Sequence, residues 1–177
     1  WGNSYDYIVE AFQMAREISP KAIFIYNDTD NHRANGGTTS ITRIIVNKLH
    51  EKGLIDYVGM QMHFNQWGGV VNGKVDSTTI ANEIGYYKNM GVPVLITELT
   101  YEPTGTELKM SNKEFNERLS IIFQQVLKVA LESQNVKGIT FWGVTDKYIK
   151  DMNWYMIFDE QGQPKQSYYI VLKTLYE

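Results

Sequence analysis

Pro93-Val94-Leu95-Ile96-Thr97-Glu98-Leu99 reads as a buried strand that stops on a carboxylate. Apolar residues run unbroken from Val94 to Ile96 behind Gly91-Val92-Pro93, the pattern of a parallel strand covered on both faces. A Glu at the end of such a strand costs free energy unless it is paired, hydrated or used. Taken alone, the run fits an ordinary strand-end salt bridge as well as it fits a reacting group.

Outward from this strand the same unit recurs. Upstream, Ile8, Ala11, Phe12, Ala15 and Ile18 fall at helical spacing, with Ser4 placed to cap and Ser19-Pro20 to stop the helix. The strand Ala22 to Tyr26 leads into Asn27-Asp28, and the polar loop Asn31 to Thr39 follows. Ile41, Ile44, Ile45 and Leu49 mark a second helix closed by Gly53. The strand Tyr57 to Met62 then delivers His63. After the loop Trp67 to Lys74, Ile80, Ile84 and Tyr87 form one face of a third helix. Downstream of Glu98, Ser111 and Glu114 make a capping-box pattern. It opens the longest helix, striped by Phe115, Leu119, Ile122, Val126 and Val129. Gly138 to Trp142 is the fourth strand, a long loop reaches Trp154, and Tyr168, Val171, Leu172 and Leu175 mark a closing helix.

A helix followed by four strand–helix units implies an α/β fold with a parallel sheet and helices outside it. No Gly-rich phosphate fingerprint follows any strand, which weakens a dinucleotide-binding reading. Polar residues gather instead at the strand ends: Asn27 and Asp28, Gln61 and His63, Glu98, then Trp142 and Asp146. In a (β/α)8 barrel that face carries the chemistry, but a whole barrel needs eight strands and typically about 250 residues. The 177 residues of this chain suit half of one.

Composition narrows the function classes. A net charge of −3 argues against a nucleic-acid partner, and no apolar run approaches a membrane span. The absence of Cys excludes disulfide and thiolate chemistry. No motif calls for a metal or an organic cofactor. Four Trp and twelve Tyr supply aromatic rings with a polar edge, as often core as ligand platform. The chain opens on Trp1 without a signal-peptide pattern and reads as a segment of a longer protein.

The set Tyr26-Asn27-Asp28, Val58 to His63, Ile96-Thr97-Glu98-Leu99 and Gly138 to Gly143 resembles glycoside hydrolase family 10, the endo-β-1,4-xylanases. Phe158-Asp159-Glu160, Gln163-Pro164-Lys165 and Tyr168-Tyr169 add to the resemblance. Each motif is weak alone; five in register are strong. The resemblance implies that residues 1–177 are the C-terminal half, strands five to eight, of a single TIM (β/α)8 catalytic domain whose N-terminal half lies outside the chain. It implies a retaining glycosidase acting on β-1,4-xylan, with Glu98 as the nucleophile. A second carboxyl about 5–5.5 Å away would protonate the leaving oxygen. Gln61 and His63 resemble the pair that bonds the nucleophile and the sugar 2-hydroxyl. Trp142 and Trp154 resemble the walls of the sugar cleft, and Asn27 part of the strand-five rim. Location outside the cytoplasm follows only from where xylan is met.

Two departures stand out. The family usually places Asp after Thr-Glu-Leu, to bond the strand-six histidine, where this chain has Thr100. It also tends to have Tyr after Asn-Asp, where this chain has Thr29. The family's acid/base belongs to an Asn-Glu pair at the end of strand four. Here Asn82-Glu83 and Asn116-Glu117 both fall within helices, so the segment carries half an active site. A related barrel glycosidase on another β-glycan, and a non-catalytic carbohydrate-binding or degenerate barrel domain, are the alternatives.

Three structural expectations follow. Glu98, Gln61 and His63 should meet at one end of the sheet, beside Trp142. The barrel-facing side chains of Ile23, Ile25, Val94 and Ile96, or their alternates, should lie open. Two unpaired strand edges should call for a partner, either the N-terminal half or a second copy.

Overall fold

The four apolar runs do pair side by side in one direction. The computed structural model describes residues 4–33, 37–65, 70–71, 73–148 and 155–177. Its helices are α1 Asp6–Ile18, α2 Gly37–Glu51, α3 Ser77–Asn89, α4 Asn112–Ser133 and α5 Gln166–Tyr176. Its strands are β1 Ile25–Asp28, β2 Tyr57–Met60, β3 His63–Phe64, β4 Val70–Val71, β5 Lys74–Val75, β6 Val94–Tyr101 and β7 Val136–Phe141. The main sheet runs β1-β2-β6-β7, every neighbour parallel, with Tyr26 beside Val58, Val58 beside Val94 and Ile96 beside Ile139.

Caps chosen by the sequence set the helix starts. Ser111 accepts from the Glu114 N–H and Glu114 reaches back, the capping box expected at α4. Asp76 accepts from the Thr79 N–H at 3.0 Å, which holds the Asp76 carboxyl below its usual range. The expectation at Ser4 is corrected. The residue before α1 is Tyr5, in the left-handed region at φ 55, and no side chain caps the helix. Ser4 lies one residue too far out to reach the orphan N–H groups.

One face of the sheet is sealed by helices. Val58, Met60, Val94 and Ile96 are buried among Ile84, Tyr87, Leu119, Phe123 and Val126 of α3 and α4. A smaller cluster joins Val9 of α1 to Ile45, Leu49 and Leu54. The opposite face is open. Ile23 is 66% exposed, Ile25 39% and Trp142 42%. On β6 it is the alternates, not Val94 and Ile96, that lie on this side. Val94 and Ile96 face the helices, and their alternates Leu95 and Thr97 are the half-buried pair, as the period of two along a strand requires.

Two features were not legible as strands. β4 and β5, two residues each, form an antiparallel pair from Val70 to Val75, across the end of the loop expected at Trp67 to Lys74. It rests on α4 through the Val75 N–H, which donates to Gln125 Oε1 at 3.0 Å. The strand delivering His63 also breaks. β2 ends at Met60, Met62 takes a left-handed φ of 59, and β3 then resumes pairing with β6 at Thr100 and Tyr101.

Candidate active site

β6 carries one residue more than either neighbour at its carboxyl end. Between the pairs Met60↔Ile96 and His63↔Thr100, β6 advances four residues against three. Against β7, Ile96↔Ile139 and Leu99↔Phe141 give three against two. Such a bulge reverses the alternation of side chains beyond it. Strict alternation would send Glu98 toward the helices with Val94 and Ile96. With the bulge, Thr97 and Glu98 both reach Asn27 on the open face.

The Glu98 carboxylate is held from two sides. His63 Nε2 lies 3.1 Å from Oε2, and the Asn27 amide Nδ2 donates to Oε1 at a long 3.5 Å. The Glu98 and His63 side chains keep 17% and 21% of their exposure, so the pair is shielded yet reachable. The Trp142 ring meets the imidazole nearly edge-on, 5.7 Å between centroids at 88°. Gln61 stands alongside: its carbonyl accepts the Glu98 N–H at 3.1 Å. Glu98, His63, Gln61, Asn27 and Trp142 thus gather at one end of the sheet. Trp154 lies outside the described residues. Among those residues no group of three His, Cys, Asp or Glu could hold a metal ion.

The remaining polar residues at the strand ends have structural partners. Asp28 receives the Tyr26 hydroxyl at 3.0 Å and the Thr42 hydroxyl at 3.3 Å. Burial, with the Asp28 charge next, pushes the Tyr26 hydroxyl up from its usual range. Asp146 pairs with Lys165 at 2.8 Å and accepts the Met156 N–H at 2.7 Å. This pair straps the start of the β7–α5 loop to its end. Thr100 stands opposite His63 in register, fully buried, and its hydroxyl finds no hydrogen-bond partner among the described residues. It does not replace the carboxylate that the resemblance would place there.

Sequence reasoning overlooked Thr97, Gly59 and His32. Thr97 Oγ1 donates to Asn27 Oδ1 at 2.7 Å. Gly59 faces Asn27 across the β1–β2 pair, and a Cβ on Gly59 would crowd Asn27 Cβ and Cγ at 3.0 Å. The pairing of β1 with β2 could have predicted that contact. His32 is 1% exposed, packs 4.8 Å from the Phe64 ring, and neither ring nitrogen has a partner among the described residues. Burial, then the nearby Arg33 charge, pushes its imidazole down to about 3. It is neutral near pH 7.

Parallel strands with helices on one face and a braced carboxylate at their carboxyl ends define one half of a (β/α)8 barrel with its reaction face. The chain belongs to glycosyl hydrolase family 10, whose family model matches residues 1–174, and it corresponds to the C-terminal half of that barrel. It is 29% identical to endo-1,4-beta-xylanase B of Thermotoga neapolitana over 97% of this chain and 49% of the relative. It is 30% identical to endo-1,4-beta-xylanase A of Caldicellulosiruptor saccharolyticus over 95% of this chain and 52% of that protein. The crystal structure of xylanase 10B from Thermotoga petrophila RKU-1 in complex with xylobiose superposes with a TM-score of 0.84. That match has 27% identity and covers 97% of this chain and 51% of that one. The chain spans about half the length of each of these three proteins.

Proposed function

We propose that this chain supplies the nucleophile half of the active site of a retaining endo-β-1,4-xylanase. The observation that carries the reading is the Glu98 carboxylate, turned onto the open face by the β6 bulge and braced by His63 and Asn27. In the first step one Glu98 oxygen bonds the anomeric carbon as the glycosidic bond breaks. A carboxyl from the other barrel half, about 5–5.5 Å away, protonates the leaving oxygen. In the second step that group takes a proton from water, whose oxygen displaces Glu98 with net retention.

His63 holds Glu98 ready for attack. Gln61, whose side chain makes no hydrogen bond within the described residues, offers its amide to the sugar 2-hydroxyl. Trp142 walls the cleft where a xylose ring stacks, and the family resemblance assigns Trp154 the same role. Binding of xylo-oligosaccharide is supported by the xylobiose in the T. petrophila relative.

Residues 1–177 act as one half of a single catalytic domain. The N-terminal half of the same barrel is the partner that would cover Ile23 and Ile25 and pair with the outer edges of β1 and β7. Without the opposing carboxyl, the chain alone is inactive. A parent protein acting on polymeric xylan works outside the cytoplasm.

The test is to complete the barrel with the missing half and follow reducing-sugar release from xylan, with the anomer of the first product read by NMR. Release of the β-anomer from β-xylan supports the reading. Cleavage confined to another β-glycan overturns the substrate, and binding without hydrolysis overturns the enzyme.

A further inference from the structure

Asn27 does not point away from the strand ends as a free rim residue would. Its amide is committed at both ends. The Thr97 hydroxyl donates to Oδ1 at 2.7 Å, and Nδ2 faces Glu98 Oε1 at 3.5 Å. An amide turned the other way would set its carbonyl oxygen against the carboxylate, which can only accept. Glu98 therefore calls for the N–H2 end, and the Thr97 hydroxyl, free to donate or accept, donates to the oxygen end and holds the amide in place. The side chain lies across Gly59, in space that a Cβ would crowd. Three strands thus contribute to one contact: β1 brings the amide, β2 leaves it room, and the β6 bulge presents its orienter and its target side by side.

We propose that Asn27 is a positioning residue for the Glu98 carboxylate, oriented by the Thr97 hydroxyl over the cleared surface of Gly59, rather than a contact to sugar. The inference rests on Glu98 being the nucleophile. With His63 Nε2 at the other oxygen, the amide leaves the carboxylate one favoured rotation. Attack on an anomeric carbon depends on that rotation, because nucleophile and carbon must be aligned before bond formation.

The experiment measures kcat, KM and the pH profile of kcat/KM on an aryl xylobioside, in the complete barrel containing this chain. Asn27→Ala is expected to lower kcat about tenfold with KM within about twofold, as loss of alignment rather than of binding requires. Thr97→Val loses less in the same parameter, and Thr97→Ser recovers most of that loss. The double variant is no worse than Asn27→Ala alone, because Thr97 acts only through Asn27. Asn27→Asp places a like charge beside Glu98 and moves the acid limb up by about one pH unit. A purely structural role would lower the unfolding midpoint and leave that limb in place.

The inference is overturned by a raised KM at unchanged kcat, by additive losses in the double variant, or by an unmoved acid limb in Asn27→Asp. Should Asn27→Ala not fold, Thr97→Val against Thr97→Ser decides on the same kcat readout. Glu98→Gln separates the two levels. Near wild-type turnover there removes the nucleophile reading itself, whereas an inactive Glu98→Gln beside a fully active Asn27→Ala removes only this inference.

Discussion

The two faces of the β1-β2-β6-β7 sheet are made by alternate residues of the same strands, yet they obey different rules. On the helix face Val58, Met60, Val94 and Ile96 are all within 1% of complete burial, and size and apolarity are what matter. On the open face Ile25, Asn27, Leu95 and Thr97 keep partial exposure, and polar groups are arranged around one carboxylate. The helix face already has its covering layer, so its contribution to stability is complete within this chain. The open face carries no such layer among the described residues. Stability and chemistry are thereby separated across a single strand's thickness.

The sharpest way to break this contrast is Glu98→Gln in the complete barrel. Loss of turnover by at least about a thousandfold is expected, because the amide cannot serve as nucleophile. The urea midpoint should barely move, and substantial unfolding would place Glu98 on the stability side. Next, Ile96→Ala on the sealed face should cost about 2–5 kcal/mol for the removed groups and the cavity left behind. That loss would appear in equilibrium urea unfolding without a matching change in KM.

His32 sharpens the comparison by pH. Its folded-state value of about 3 lies below the usual 6.5. The unfolded chain therefore takes up a proton as pH falls through 6.5, while the fold does not until about 3. Stability is lost on acidification across that window, by on the order of 3 kcal/mol near pH 4. His32→Leu should flatten this part of the urea-midpoint profile, and an unchanged slope would remove His32 as its source.

The smallest effect lies on the open face. Ile23→Ala should shift the stability of the chain alone by less than about 0.5 kcal/mol. In the completed barrel the same change should cost about 2 kcal/mol or more, once the side chain is covered. Equal effects in both settings would mean that Ile23 does not meet the other half.

The strand–helix units were legible because each parallel strand is marked by its own apolar run: Ala22 to Tyr26, Tyr57 to Met60, Val94 to Ile96 and Gly138 to Phe141. Gathering at one sheet end followed from parallel direction alone, whereas the contact between His63 and Glu98 was implied by the resemblance. What stayed hidden depends on pairing between strands. Alternation read from Val94 predicts that Glu98 faces the helices, and only the extra residue of β6, visible against β2 and β7, turns it outward. Thr97 looked like strand filler, since nothing local marks a hydroxyl that orients an amide on another strand. The β4–β5 hairpin was too short to show a period, and the resemblance located Asn27 without revealing what its amide touches.

The close passage of Asn27 over Gly59 also constrains the order in which this site can change through descent. A first step at Gly59 to any larger residue meets an occupied space and disturbs the braced carboxylate. A first step at Asn27 to a smaller residue opens the space for later enlargement at Gly59, at the loss in kcat expected of Asn27→Ala. The same two substitutions therefore meet a steric block in one order and only the loss of the Asn27 contact in the other. Among relatives, a bulky residue at the Gly59 position should accompany a shortened side chain at the Asn27 position.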